Sequence, residues 1–251
     1  MQAKHAVQRL WEASSDLLFP PVCTGCGRPG SEWCPSCESS LRLIEGPLCY
    51  SCGEPLTGGL RGACLPCTRA PLPLIVRSYA DYRGPLARAL VHLKYRPNRR
   101  LAKIMGDWLA GLYRRERWDV SLVVPVALSR RRVLQRGYNQ SSHIAAEMAE
   151  GAGLRVAPRA LLRTRETRSQ VGLDAGSRQM NVRGAFEAVP ERVKDSAVLL
   201  VDDLFTTGAT LTACAVALLD AGAHEVYGLT VGRARRDSSI SQRTGSVNHD
   251  R

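Results

Sequence analysis

The sequence has no run of eighteen or more apolar residues, so no segment has the length of a membrane-spanning helix. Its N-terminus lacks a basic head, a long apolar core and a cleavage site, and no secretory signal is expected. No Gly-Lys-Ser/Thr loop occurs, which excludes a Walker-type phosphate site. No helix-turn-helix is evident, which argues against reading duplex DNA by that motif. Acids are scarce where bases are dense. The 251 residues carry a formal net charge of +12, and residues 83–103 hold seven Lys/Arg and no acid. Residues 128–183 hold eleven Arg against four acids. This imbalance suits a polyanionic partner, and phosphate ligands also call for positive charge. The length allows one α/β domain and one small module.

The most informative stretch is residues 198–210, Val-Leu-Leu-Val-Asp-Asp-Leu-Phe-Thr-Thr-Gly-Ala-Thr. Four apolar residues without alternation predict a parallel strand buried on both faces. Asp202 and Asp203 follow at its C-terminal end, where open α/β sheets bind their ligands. Thr206, Thr207, Gly208, Ala209 and Thr210 then open an apolar helix predicted over 211–221. A glycine-containing turn at a helix start presents backbone N–H groups to phosphate. The adjacent carboxylates can accept hydrogen bonds from vicinal hydroxyls, so the stretch describes a site for a ribose 5-phosphate. The plain alternative, a strand with an acidic turn, leaves the paired acids and the Thr/Gly loop without a purpose.

Position by position the stretch resembles the phosphoribosyl-pyrophosphate (PRPP) motif of type I phosphoribosyltransferases, with no residue of the pattern missing. The resemblance implies a 5-phosphate held by residues 206–210 and ribose hydroxyls at Asp202 and Asp203, which become the catalytic candidates. It also implies Mg²⁺ arriving with PRPP, chelated mainly by pyrophosphate and diol.

Eight of the nine cysteines form four Cys-x-x-Cys knuckles, Cys23/Cys26, Cys34/Cys37, Cys49/Cys52 and Cys64/Cys67. Four thiolates complete a tetrahedral zinc site, and a segment this short and poor in core residues needs a metal staple. Two structural zinc ions are expected, with sequential pairing the simplest arrangement and a cross-braced one the alternative. The regular spacing favours zinc over iron–sulfur, and the missing signal argues against disulfides. Cys214, inside the predicted helix after the motif, reads as a small buried hydrophobe.

Elsewhere the pattern predicts an amphipathic helix over 3–19, stopped by Pro20-Pro21, which packs on the neighbouring module or lies on a membrane surface. A strand is expected over 74–82, helices over 84–93 and 101–115, and a core strand over 120–126. Arg130 and Arg131 lie in a basic loop after that strand, where the phosphoribosyltransferase resemblance implies the pyrophosphate loop and a forked guanidinium suits it; a solvated loop is the alternative. A helix follows to about residue 150. Residues 163–183 are a long aperiodic stretch of the kind that is functional or disordered. The phosphoribosyltransferase resemblance implies a loop closing over PRPP there, with Gln170, Arg178 and Asn181 as its candidate contacts and a solvated loop as the alternative. A last strand is expected over 225–231, then a disordered tail.

Several of these segments form one ordered series. It comprises Leu17-Leu18-Phe19-Pro20-Pro21-x-Cys23, the knuckles, Lys94-Tyr95-Arg96, Arg136-Gly137-Tyr138-Asn139-Gln140, Gln170-x-Gly172-Leu173, Asn181-Val182-Arg183-Gly184-Ala185-Phe186 and the PRPP motif. Over residues 17–231 this resembles the competence protein F (ComF, ComFC) family. The resemblance implies an α/β type I phosphoribosyltransferase fold, a parallel sheet flanked by helices, preceded by a cysteine-rich double zinc ribbon. The expected layout is an N-terminal helix (1–21), the ribbon (22–70), a helical hairpin forming a hood over the acceptor (71–118), the core (119–234) and the tail (235–251).

Three functions follow as expectations. The first is a PRPP-binding cytoplasmic protein that handles single-stranded DNA during natural transformation, with contacts to uptake machinery at the inner membrane. Its nucleic-acid candidates are Lys94, Arg96, Arg99, Arg100 and Arg136, with Tyr82, Tyr95 and Tyr138 for stacking. The second is a salvage or biosynthetic phosphoribosyltransferase. Thr206 stands where the 6-oxopurine branch carries an acid, which excludes only that branch. The third is a PRPP-sensing DNA-binding regulator.

Overall fold

The computed structural model describes residues 20–58, 62–165, 182 and 184–235. The N-terminal helix, the candidates Gln170, Arg178 and Asn181, and the tail beyond 235 lie outside them.

Helices α1 (Pro35–Ser39) and α2 (Leu65–Arg69) each follow a ribbon cysteine, Cys34 or Cys64, and carry a proline in the first turn, Pro35 or Pro66. Proline suits this first turn because its missing N–H has no partner there anyway. Strand β1 (Ile75–Asp81) leads to α3 (Gly84–Tyr95) and α4 (Arg99–Glu116). The Arg96-Pro97 bond separates these helices, and Asn98 restarts the chain by accepting from Leu101 N at 2.9 Å. Then come β2 (Leu122–Pro125), α5 (Arg130–Arg136) and α6 (Gln140–Ala152). The short antiparallel pair β3 (Leu161–Arg163) and β4 (Phe186–Ala188) is followed by α7 (Pro190–Val193), β5 (Ala197–Phe205), α8 (Ala209–Asp220) and β6 (Glu225–Arg233).

The main sheet is parallel throughout, in the order β1-β6-β5-β2. Val198, Leu199, Leu200 and Val201 of central β5 are fully buried, as an apolar run without alternation requires. On one face α3, α4 and α6 supply Leu90, Leu101, Met105, Ile144 and Met148; on the other α8 and the β3/β4 pair supply Leu211, Leu218, Leu161 and Phe186. Cys214 is fully buried on α8.

Two expectations need correction. The sequence puts residues 74–82 in a hood outside the core sheet, but β1 is the sheet's edge strand, paired in parallel with β6 from Ile75↔Tyr227 to Asp81↔Arg233. Its partner is some 150 residues away in sequence, so local pattern alone cannot assign it. The basic loop expected after β2 is instead α5, capped by Ser129 and ended by Gly137 at φ +76°. No residue of α5 is buried, so its arginines leave no helical apolar period to read.

The cysteine module covers the open edge of β1. Ile44 N donates to Tyr79 O (3.0 Å), Asp81 N to Arg42 O (2.9 Å) and Val76 N to Ser51 O (2.7 Å). An uncovered edge would expose unpaired backbone groups, and the ribbons satisfy them. Among the described residues, no helix is long and apolar enough to cross a membrane.

Candidate functional site

The eight knuckle cysteines form two clusters. The sulfurs of Cys23, Cys26, Cys34 and Cys37 all lie within 4.8 Å of one another, as do those of Cys49, Cys52, Cys64 and Cys67. The Cys23–Cys37, Cys26–Cys34 and Cys52–Cys64 sulfurs are 3.6 Å apart. Tetrahedral zinc with bonds near 2.3 Å would hold sulfurs about 3.8 Å apart, whereas a disulfide needs about 2.05 Å. The donor set fits two zinc ions, paired sequentially as the simplest reading expects. Burial penalises the Cys37 and Cys67 thiolates, and neighbouring thiols push both further up. A divalent cation would relieve that crowding.

The two ribbons stand on different supports. In the first, Trp33 meets Trp108 of α4 edge-on at 5.5 Å, and Arg88 of α3 donates to Gly25 O. In the second, Gly53 at φ +70° sits where a Cβ would come within 2.5 Å of Val76 O, so its knuckle lies flat on β1.

The motif closes the C-terminal end of the sheet. Strand β5 runs through both acids to Phe205 rather than ending before them. Buried Asp203 places Oδ2 2.9 Å from Lys94 Nζ at the end of α3. Half-buried Asp202 accepts through Oδ1 from Ser141 Oγ and from Asp203 N, both at 2.9 Å. Burial and the Asp203 charge push the Asp202 carboxyl up to about 7 against these hydrogen bonds. Burial opposes the Lys94 charge, but the two aspartates outweigh it and raise its pKa.

After Phe205 the chain turns through Thr206, Thr207 and Gly208, and α8 begins at Ala209. Gly208 takes φ +82° with the Phe205 ring beneath it, where a Cβ would lie 3.0 Å from Cζ. Ala209 N donates to Thr207 Oγ1 at 3.4 Å. Thr206, Thr207 and Ala209 line a cavity of about 500 Å³ whose other wall includes Cys64, Pro66 and Cys67 of the second ribbon.

The structure thus gathers Asp202, Asp203, Thr206, Thr207, Gly208, Ala209 and Thr210 at one strand-turn-helix unit. Arg130 and Arg131 lie apart, lining a groove of about 540 Å³ with Arg163 and Thr164, and neither aspartate is in its wall. Lys94, grouped in the sequence with the nucleic-acid arginines, instead pairs with Asp203, because the last turn of α3 points at the acid pair. Arg96 and Arg99 are exposed, and Tyr95 is 72% exposed with the Arg136 guanidinium 5.8 Å from its ring centre. Arg136 also donates to Gln140 Oε1 at 3.1 Å. Arg100, at the start of α4, is half-buried. Tyr138 is tied to Leu93 O, and Tyr82 packs against the core. Sequence reasoning passed over Ser141 and Arg233. The polar start of α6 is a signal for Ser141; nothing local marks Arg233.

The fold and these clusters define the class, a zinc-ribbon protein carrying a phosphoribosyltransferase-type α/β core. Residues 14–68 match the double zinc ribbon domain family. The chain is 31% identical over 224 residues to DNA utilization protein YhgH of Escherichia coli O6:H1, covering 84% of this chain and 96% of that one. It is 28% identical over 207 residues to competence protein ComFC of Bacillus subtilis strain 168, covering 78% and 81%. The chain belongs to the competence protein F (ComF/ComFC) family. Among solved structures, glutamine PRPP amidotransferase from B. subtilis aligns with TM-score 0.40 and 19% identity, over 56% of this chain and 30% of that one.

Proposed function

We propose that the protein binds PRPP with Mg²⁺ at the end of β5 and handles single-stranded DNA on the cytoplasmic side of the inner membrane. One observation carries the first half. Two adjacent carboxylates, one compensated by Lys94 and one held by Ser141, lead directly into a glycine turn at the start of α8. The acids suit a ribose diol and the turn suits its 5-phosphate. Lys94 supplies the positive charge that the acid pair needs while no ligand is bound, and Ser141 orients Asp202. Mg²⁺ bound with PRPP would neutralise the pyrophosphate charge.

The second half rests on chemistry near that site and on the names of the relatives, which speak of competence and DNA utilization. Tyr95 presents an exposed ring to the Arg136 guanidinium, exposed Arg96 and Arg99 follow it in the chain, and arginines with a stacking face bind single strands without strong sequence preference. Calorimetric titration of the purified protein with Mg²⁺–PRPP, repeated with a panel of bases while pyrophosphate release is followed, tests the reading. Binding without release fits an accessory role, and release with one base fits a transferase. Absence of PRPP binding contradicts both.

A further inference from the structure

Arg233 is the last residue of β6 and is 4% exposed. A buried guanidinium must have every N–H satisfied, so its partners show what holds it. Nη1 donates to Cys52 O at 2.6 Å, and Nη2 reaches Cys52 Sγ at 3.5 Å. Glu54 Oε2 accepts from Nε at 2.9 Å and from Nη2 at 2.6 Å. The guanidinium carbon lies 4.4 Å from the centre of the Phe205 ring, and that ring is the floor beneath Gly208. The backbones follow the same route. Arg233 is the sheet partner of Phe205, and Ala234 N donates to Phe205 O at 2.8 Å.

An unbroken path of contacts therefore runs from a zinc-binding sulfur, through one guanidinium and one aromatic ring, to the turn that opens α8. Four thiolates around Zn²⁺ carry a net charge of −2, and an N–H from a buried cation at Cys52 Sγ offsets part of it. The first cluster has no such connection to the turn among the described contacts, since its supports are α3 and α4.

We propose that Arg233 is a positioning residue that couples the metal at Cys49, Cys52, Cys64 and Cys67 to the shape of the 206–208 turn. Zinc there fixes Cys52, Cys52 fixes the guanidinium, and the guanidinium holds the Phe205 ring under Gly208. The inference concerns the turn itself and stands whichever ligand the turn takes.

The test uses the full-length, zinc-loaded protein, with chelator-driven zinc release and hydrogen exchange as the two readouts. Cys64→Ser, which empties the second centre, should raise exchange at amides 206–210 at least tenfold; Cys26→Ser, which empties the first, should leave it unchanged. Arg233→Lys keeps the charge but cannot reach Glu54 and both Cys52 atoms together. It should weaken the hold on one of the two zinc ions ~10–100-fold in affinity, the usual effect of losing a partner of a metal ligand, seen as faster release of that ion to chelator, and loosen the turn. Phe205→Leu should loosen the turn with zinc release at the parent rate. Exchange at residues 197–201 reports whether each variant keeps its core. If Arg233→Lys costs the core its fold, Cys64→Ser and Phe205→Leu decide the matter alone. Parent-like exchange at 206–210 in Cys64→Ser or Phe205→Leu overturns the proposal, as does parent-like retention of both zinc ions in a folded Arg233→Lys.

Discussion

Lys94 Nζ lies 2.9 Å from Asp203 Oδ2, so the hairpin reaches into the acid pair and supplies its counter-charge. Removing one partner of such a pair leaves a poorly solvated charge behind. Lys94→Met should cost about 1–3 kcal/mol of stability, less than a fully buried pair because Lys94 keeps some exposure. Urea unfolding should show a larger loss at pH 8 than at pH 5, since Asp202 is protonated at the lower pH and the pair then carries one charge. Equal losses at both would contradict the electrostatic account.

Asp202 gives a pH signature of definite sign. Burial and Asp203 raise its carboxyl from 3.8 to about 7. Between those values the folded protein holds a proton that the unfolded chain has lost, so this group's contribution to stability falls as pH rises through that window. Asp202→Asn should flatten the dependence and stabilise the ligand-free protein above pH 7. Parallel pH–stability curves for the parent and the variant would refute the assignment.

Zinc should be present at two ions per chain by elemental analysis. Cys49→Ser should remove one of them. Because Ser51 O accepts from Val76 N, the loss should also open the edge of β1 and raise exchange at that amide. One zinc per chain in the parent, or iron in its place, would contradict the two-centre reading.

Nucleic-acid binding should depend on Tyr95 and on the arginines around it. Tyr95→Ala should weaken single-strand binding by about 1–3 kcal/mol, the usual worth of one stacked base. Neutralising Arg99 and Arg100 should lower the slope of log K against log salt by roughly 1.4, two phosphate contacts' share. Electrophoretic or fluorescence titrations over a salt series would show it. Binding without a salt slope would favour the metabolic enzyme.

Much of this was legible in the sequence because the signals are local. The run 198–201 has no face to expose, and it forms the central strand. The four knuckles have hairpin spacing, and each consecutive pair forms one cluster. What escaped was non-local. β1 carries the alternation of any half-buried strand, and only its register with β6 places it in the sheet. Helix α5 depends on Ser129 and Gly137 at its ends rather than on an apolar face. Lys94 and Arg233 are ordinary basic residues in sequence, and their roles come from a carboxylate and a sulfur more than a hundred residues away.

The central claim is that residues 202–210 hold a ribose 5-phosphate ligand, and calorimetry on the Asp202→Asn/Asp203→Asn double variant tests it most directly. Neither amide can replace the charge that the diol and its accompanying cation meet. The account predicts that the parent binds Mg²⁺–PRPP and that the folded double variant loses this affinity. A double variant that binds PRPP as the parent does would contradict it.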